Sequence, residues 1–213
     1  VYCNSPLNFN LSQHNIFRNQ KIIKFGIGNN DGLSKAYNLM INYCSKINIK
    51  YLMILDQDSI YPFSSNSSLY FLEDNKPPND AALITSRKIP KSLKNKYKFK
   101  PSNKFRKRDF KKVKNAINSG SILDIKKIIK IGGYDDDFFF DKVDFDICRI
   151  IEKNNLNLYQ MNDFYIFHDV GFPKTKKFGN IKINFSVYNP SRIYLIAKSR
   201  LIFNKKWIIK NSN

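Results

Sequence analysis

The stretch "YLMILDQDSIYP" (51–62) decides how the rest of the chain is read. Its apolar start runs straight into Asp56, Gln57 and Asp58. A run this short is poor material for a helix and reads as a buried strand. In extended backbone, side chains two residues apart share a face, so Asp56 and Asp58 point the same way. Two carboxylates so placed repel each other unless a cation neutralises them. Oxygen ligands select a hard divalent ion, Mg²⁺ or Mn²⁺, which keeps open positions for substrate phosphates. The competing reading is an Asx-type turn ahead of Pro62. The spacing by itself leaves both open.

Working outward, "DGLSKAYNLMINYCSKI" (31–47) sets Leu33, Ala36, Tyr37, Met40, Ile41 and Cys44 at helical spacing. "VYCN" (1–4), "KIIKF" (21–25) and "DAALITSRK" (80–88) read as strands. "VKNAINSGSILDIKKIIKIGGY" (113–134) reads as strand, glycine turn, strand and short helix. "DKVDFDICRIIEKN" (141–154) has Val143, Ile147, Ile150 and Ile151 on one face and is a predicted helix. "LNLYQM" (156–161) and "FYIFH" (164–168) read as two strands. Residues 190–210 read as a basic amphipathic helix, with Ile193, Leu201, Phe203 and Trp207 on its apolar side. Strands alternating with helices predict an α/β fold whose central sheet is mainly parallel and flanked by helices. Ligands of such sheets sit outside the carboxyl ends of the strands, and the Asp56–Asp58 pair stands at such an end, with 51–55 as a central strand.

The 213 residues suit one domain with a full core, and 42% hydrophobic content excludes a disordered chain. The formal net charge is +20. Abundant Lys, Asn and Ile fit a bias toward AT-rich codons. An anionic partner is the functional alternative: nucleic acid, a membrane surface or a phosphorylated substrate. Basic residues crowd 87–114 around the single acid Asp109, and Pro90 and Pro101 break that segment into loop and short extended pieces. Cys3, Cys44 and Cys148 are odd in number and far apart, which gives neither a disulfide framework nor a zinc site and fits a reducing cytosol. No apolar run reaches the ~18 residues of a membrane span. The chain opens at Val1, inside a strand-like segment.

Five motifs, "NNDGLSKAYN", "YLMILDQDS", "NSGSILD", "GGYDDDFFFDKVDFDIC" and "FHDVG", occur in the order of the family-two inverting glycosyltransferases, and the whole resembles their bacterial rhamnosyltransferase-like subgroup. The resemblance covers about residues 1–170, and "NPSRIYL" near the C-terminus is also similar to the subgroup. It implies a GT-A (Rossmann-like) fold over 1–189, lacking its first strand and helix, with a basic insertion at about 87–114 and a C-terminal helix over 190–213. It implies that Asp58, with His168, holds the metal, while Asp56 contacts the nucleotide. Asn30, Gly32, Ala36 and Asn38 match a signature lining the nucleotide-sugar pocket, and Ser119 and Gly120 match a loop facing sugar and acceptor. Asp144 matches the general base. Read without the family, Gly32 and Ala36 make a turn and a close packing contact, and Asp141 with Asp144 is a capping-box-like pair at a helix start. Two positions depart from the pattern: Cys3 replaces an aspartate that reads base or ribose, and Arg149 directly follows Cys148 instead of lying two residues on.

The activity implied is a metal-dependent single displacement from a nucleotide sugar, dTDP-rhamnose or similar, to a cell-surface glycan or lipid-linked acceptor. The setting implied is the cytoplasm, peripheral to the inner face of the membrane, with an anionic lipid surface as partner. Two alternatives stand beside it: a degenerate, non-catalytic glycosyltransferase remnant, suggested by Cys3 and the truncated start, and a nucleic-acid-binding module. The module draws on the cations and aromatics interleaved in "KYKFKPSNKFRKRDF".

Overall fold

The computed structural model describes residues 25–26, 29–63, 67–97, 110–169, 173–179, 181–186 and 188–209. Cys3, the strand-like "VYCN", most of "KIIKF", and residues 98–109 of the basic segment lie outside them. The described chain runs α1 (Leu33–Lys46), β1 (Tyr51–Ile54), α2 (Ser67–Asp74), β2 (Ala81–Ile89), a 3₁₀ turn (Lys91–Lys96) and β3 (Phe110–Val113). It continues through β4 (Ser121–Asp124), α3 (Ile125–Lys130), α4 (Val143–Lys153), β5 (Asn157–Phe167), β6 (Pro173–Phe178), β7 (Ile181–Ser186) and α5 (Pro190–Trp207).

Strands β1 to β5 form one open sheet in the order β1-β4-β2-β5-β3, and β6 pairs with β7 in a separate hairpin. The sheet corrects the expectation of mainly parallel strands. Only β2 and β5 pair in parallel; β1–β4, β2–β4 and β3–β5 are antiparallel. Among the described residues no α-helix lies between β2 and β4, and the 114–120 loop leads from β3 into β4, which runs antiparallel to β2. A strand as buried as Ser121–Ile122–Leu123 reads as the same apolar run whichever way it points. Among the described residues β1 is an edge strand, not the central one expected. The two segments read as separate strands are one, β5; its pairing slips where Ser86 faces Met161 and Arg87 faces Tyr165, and the exposed Asn162 and Asp163 fall in that irregularity.

Alternate residues of the sheet feed two layers. Leu83, Leu123 and Leu158 join Tyr37 and Ile41 of α1, Ile128 of α3, and Ile147 and Ile151 of α4. On the other face Ile84, Ile122 and Met161 meet Phe71 and Leu72 of α2. The result is a five-stranded sheet with helices on both sides.

Two helix readings change. Helix α4 starts at Val143 behind an N-cap of Lys142 at φ 65°, with no side-chain cap, and Asp141 instead pairs with Arg200 at 3.3 Å. The capping-box reading of Asp141 and Asp144 therefore fails. Helix α5 is apolar on two faces. Phe203 packs against the helical core layer, and the Trp207 indole donates to Asp146, while Ile193 and Leu201 point outward. No helix among the described residues is long and apolar enough to cross a membrane.

Candidate metal and acid–base site

Although the sheet is mixed, β1, β2 and β5 point the same way, and the candidate residues gather where β1 and β5 end and β4 begins. After Ile54 the chain turns, with the Ser59 amide donating to the Asp56 carbonyl at 3.0 Å. Ile60 then exchanges two backbone hydrogen bonds with Phe167, both 2.9 Å. That bridge pins the Asp56–Ser59 turn against the end of β5, where His168 follows. The Asp58 carboxylate lies 3.7 Å from His168 Nδ1. Ser59 Oγ lies 2.8 Å from the same nitrogen and 2.6 Å from Ser119 Oγ. Ser119 Oγ in turn accepts the Asp56 amide at 3.1 Å. Ser59 and Ser119 thus splint the Asp56–Asp58 turn to the imidazole.

Gly120 makes this approach possible. Its amide donates to the Ile54 carbonyl at 2.8 Å and its carbonyl accepts from Ser86 at 3.0 Å. Its φ is +76°, and a Cβ there would stand 2.8 Å from Ile166 Cγ2. Only glycine satisfies both conditions.

The second wall comes from α1 and the loop before α4. Gly32, at φ +87°, lies against Phe139, and a Cβ there would stand 3.0 Å from the Phe139 carbonyl oxygen. The Leu33 amide donates to that oxygen at 2.8 Å, and Ser34 Oγ to the Phe138 carbonyl at 2.7 Å. Asn30 Oδ1 accepts the Gly32 amide at 3.3 Å, and Ala36 is buried under the helix. Asn38 has its polar atoms committed elsewhere. It accepts the Tyr134 amide at 2.9 Å and donates to the Tyr134 carbonyl at 2.8 Å and to Asp136 at 2.9 Å.

Asp144 stands in the first turn of α4. Burial pushes its carboxyl up to about 6, with the charges of Asp56 and Asp141 adding to the effect, against amide donors from its own backbone and from Asn118. Asp56 is also raised, by burial first and by Asp58, and His168 opposes the shift. The Asp56 and Asp144 carboxylates therefore feel one another. Tyr37 lies close to both, and its phenol is pushed up by burial and by their charges. Buried Tyr134 donates to Asn118 Oδ1 at 2.8 Å, holding the loop whose backbone serves Asp144.

One ligand atom each from Asp56, Asp58 and His168 lie within 4.8 Å of one another. Two carboxylates and one imidazole fit a divalent ion, Mn²⁺ in particular and Mg²⁺ by its oxygen preference. The exposed side of Asp58 leaves room for further ligands.

The structure thus brings Asp56, Asp58, Ser119, Gly120 and His168 together, with Asp144 near enough to Asp56 to feel its charge. Sequence reasoning missed Ser59, Tyr37, Asn118 and Tyr134. Ser59 and Asn118 stood inside quoted motifs, next to residues that were chosen. Tyr37 read only as part of the apolar face of α1, and Tyr134 stood in a quoted motif with no role given; both are buried. No family model matches the chain, and no curated protein matches it.

Proposed function

We propose that the chain is an inverting glycosyltransferase of GT-A type, moving a sugar from a nucleotide-sugar donor to a hydroxyl acceptor. One observation carries this reading: a raised carboxyl, Asp144, held by the Asn118 backbone, feels the charge of Asp56 in the Asp56–Asp58–His168 cluster. A cation site beside a protonatable base suits a displacement in which a diphosphate leaves and a hydroxyl loses its proton.

A divalent cation bound by Asp58, His168 and Asp56 supplies neutralising charge for the departing nucleoside diphosphate. The chain's own residues do the rest. Asn30 orders the turn into α1, and Gly32 lets Phe139 and the loop before α4 close against the start of that helix. Ser119 and Gly120 form the floor under the sugar. The Asp144 carboxylate takes the acceptor's proton as its oxygen attacks the anomeric carbon opposite the leaving group, and one displacement inverts the centre. A carboxyl near 6 is a stronger base than an ordinary aspartate and still largely ionised at neutral pH.

The donor suggested by the sequence pattern is dTDP-rhamnose or a similar deoxysugar nucleotide. The acceptor is a cell-surface glycan or its lipid-linked precursor, which sets the work at the cytoplasmic face of the membrane. The test is a screen of nucleotide sugars with Mn²⁺ or Mg²⁺. Transfer or slow donor hydrolysis that requires metal and is lost in Asp144→Asn supports the reading. Tight Mn²⁺ binding with no turnover of any donor would instead establish the non-catalytic remnant.

A further inference from the structure

We infer that the outward face of α5 is a docking surface for an anionic lipid bilayer. The inward face of α5 is already occupied. Arg192 stacks over Phe140 and Tyr188, Ser199 is buried, Ile202 and Phe203 join the core, and Lys206 and Trp207 bind Asp146. A helix packed on one side normally carries polar residues on the other. Here the other side shows Ile193 at 54% exposure, Tyr194 at 66% and Leu201 at 71%, and Ile209 just past the helix at 61%. From Ile193 to Ile209 this apolar line spans about 24 Å at the helical rise. Lys198 and Lys205 border it and are exposed.

Charge selects the occupant. No Asp or Glu occurs from Val170 to Asn213, while lysine and arginine recur throughout. An anionic interface draws Lys198 and Lys205 to headgroups while Ile193, Tyr194 and Leu201 enter the acyl boundary. A second protein copy presenting this same face would bring cations against cations. The surface stands on its own geometry; only its purpose, bringing a lipid-linked acceptor to the carboxylates, rests on the transfer reading.

Flotation of the whole chain with two vesicle preparations tests the inference. One is phosphatidylcholine alone and the other an equimolar mixture with phosphatidylglycerol. Binding is expected to the mixed vesicles only, and to weaken about tenfold in Leu201→Glu and in Tyr194→Glu, and again at high salt. Ile129→Glu, an equally simple change on the exposed side of α3, should leave binding unchanged. Because Tyr194 and Leu201 lie outside the core, an unchanged circular dichroism spectrum and thermal melt verify that each variant is folded. No flotation, or flotation indifferent to Leu201→Glu and Tyr194→Glu, overturns the proposal. So does a dimer in sedimentation equilibrium that Leu201→Glu dissolves. Vesicle binding needs neither donor nor acceptor, so its failure leaves the transfer reading standing, and a failed donor screen leaves this surface standing.

Discussion

Asp144 is held in an environment that penalises its charge. Its folded-state value of about 6 stands above the ordinary aspartate value of about 4. The folded protein therefore keeps a proton that the unfolded chain releases, and stability declines as pH rises through the window between those values. Asp144→Asn removes that penalty. The variant should be more stable than wild type at pH 7, on the order of 1–2 kcal/mol by urea denaturation, and indistinguishable from it below about pH 4. In the transfer reading the same change lowers turnover by about 10²–10⁴-fold. A variant that loses activity but gains no stability would break the link between burial and basicity. Ser59 makes a different case. It touches His168 through 2.8 Å and binds no ion itself, so Ser59→Ala should weaken Mn²⁺ binding by about tenfold in calorimetry without unfolding the chain.

The elements show why some of this was legible and some was not. The Asp56–Asp58 pair at a strand end was readable, and so was the turn that competed with a cation as its explanation, which the structure forms over Asp56–Ser59. The reversed sense of β4 was not, since direction leaves no trace in a strand buried on both faces. The start of α4 misled for a related reason. Acids ahead of an apolar helix suggest capping, yet Asp141 turns away to Arg200 and Lys142 takes the left-handed cap position. Residue chemistry near a helix end has several outlets, and tertiary partners choose among them. The loop before β4 offers a sharp test at this scale. Gly120→Ala needs a left-handed alanine and displaces the Ile166 side chain, so a loss of about 2–3 kcal/mol is expected in chemical denaturation. Mn²⁺ affinity should fall with it, as Ser119 is the next residue.

Across the molecule, α5 is a strap over the helical layer. Lys206 Nζ lies 2.5 Å from Asp135 and 2.9 Å from Asp146, and Trp207 donates to Asp146 at 2.6 Å. Asp146 is almost fully buried; burial raises its pKa, and Lys206 and Trp207 counter that rise. None of this was visible in the sequence, because the partners are some sixty positions apart and a lysine on a basic helix reads as a solvated charge. Lys206→Met should destabilise the chain by about 2–3 kcal/mol at neutral pH, since Asp146 then stays buried with only the indole donor. The deficit should shrink as pH falls and Asp146 takes up a proton, a trend that thermal melts across pH would register.

The bridge between Ile60 and Phe167 has a temporal meaning. It joins a turn made early in the chain to a strand end made more than a hundred residues later, and only across that seam do Asp56 and Asp58 meet His168. A ribosome-bound chain that has not yet released His168 carries two of the three donors on an unpinned loop. In the proposed reading, ion capture would then be a late event in biogenesis, coupled to the docking of β5, and the cation would act as a clasp that locks a finished molecule and ignores an unfinished one.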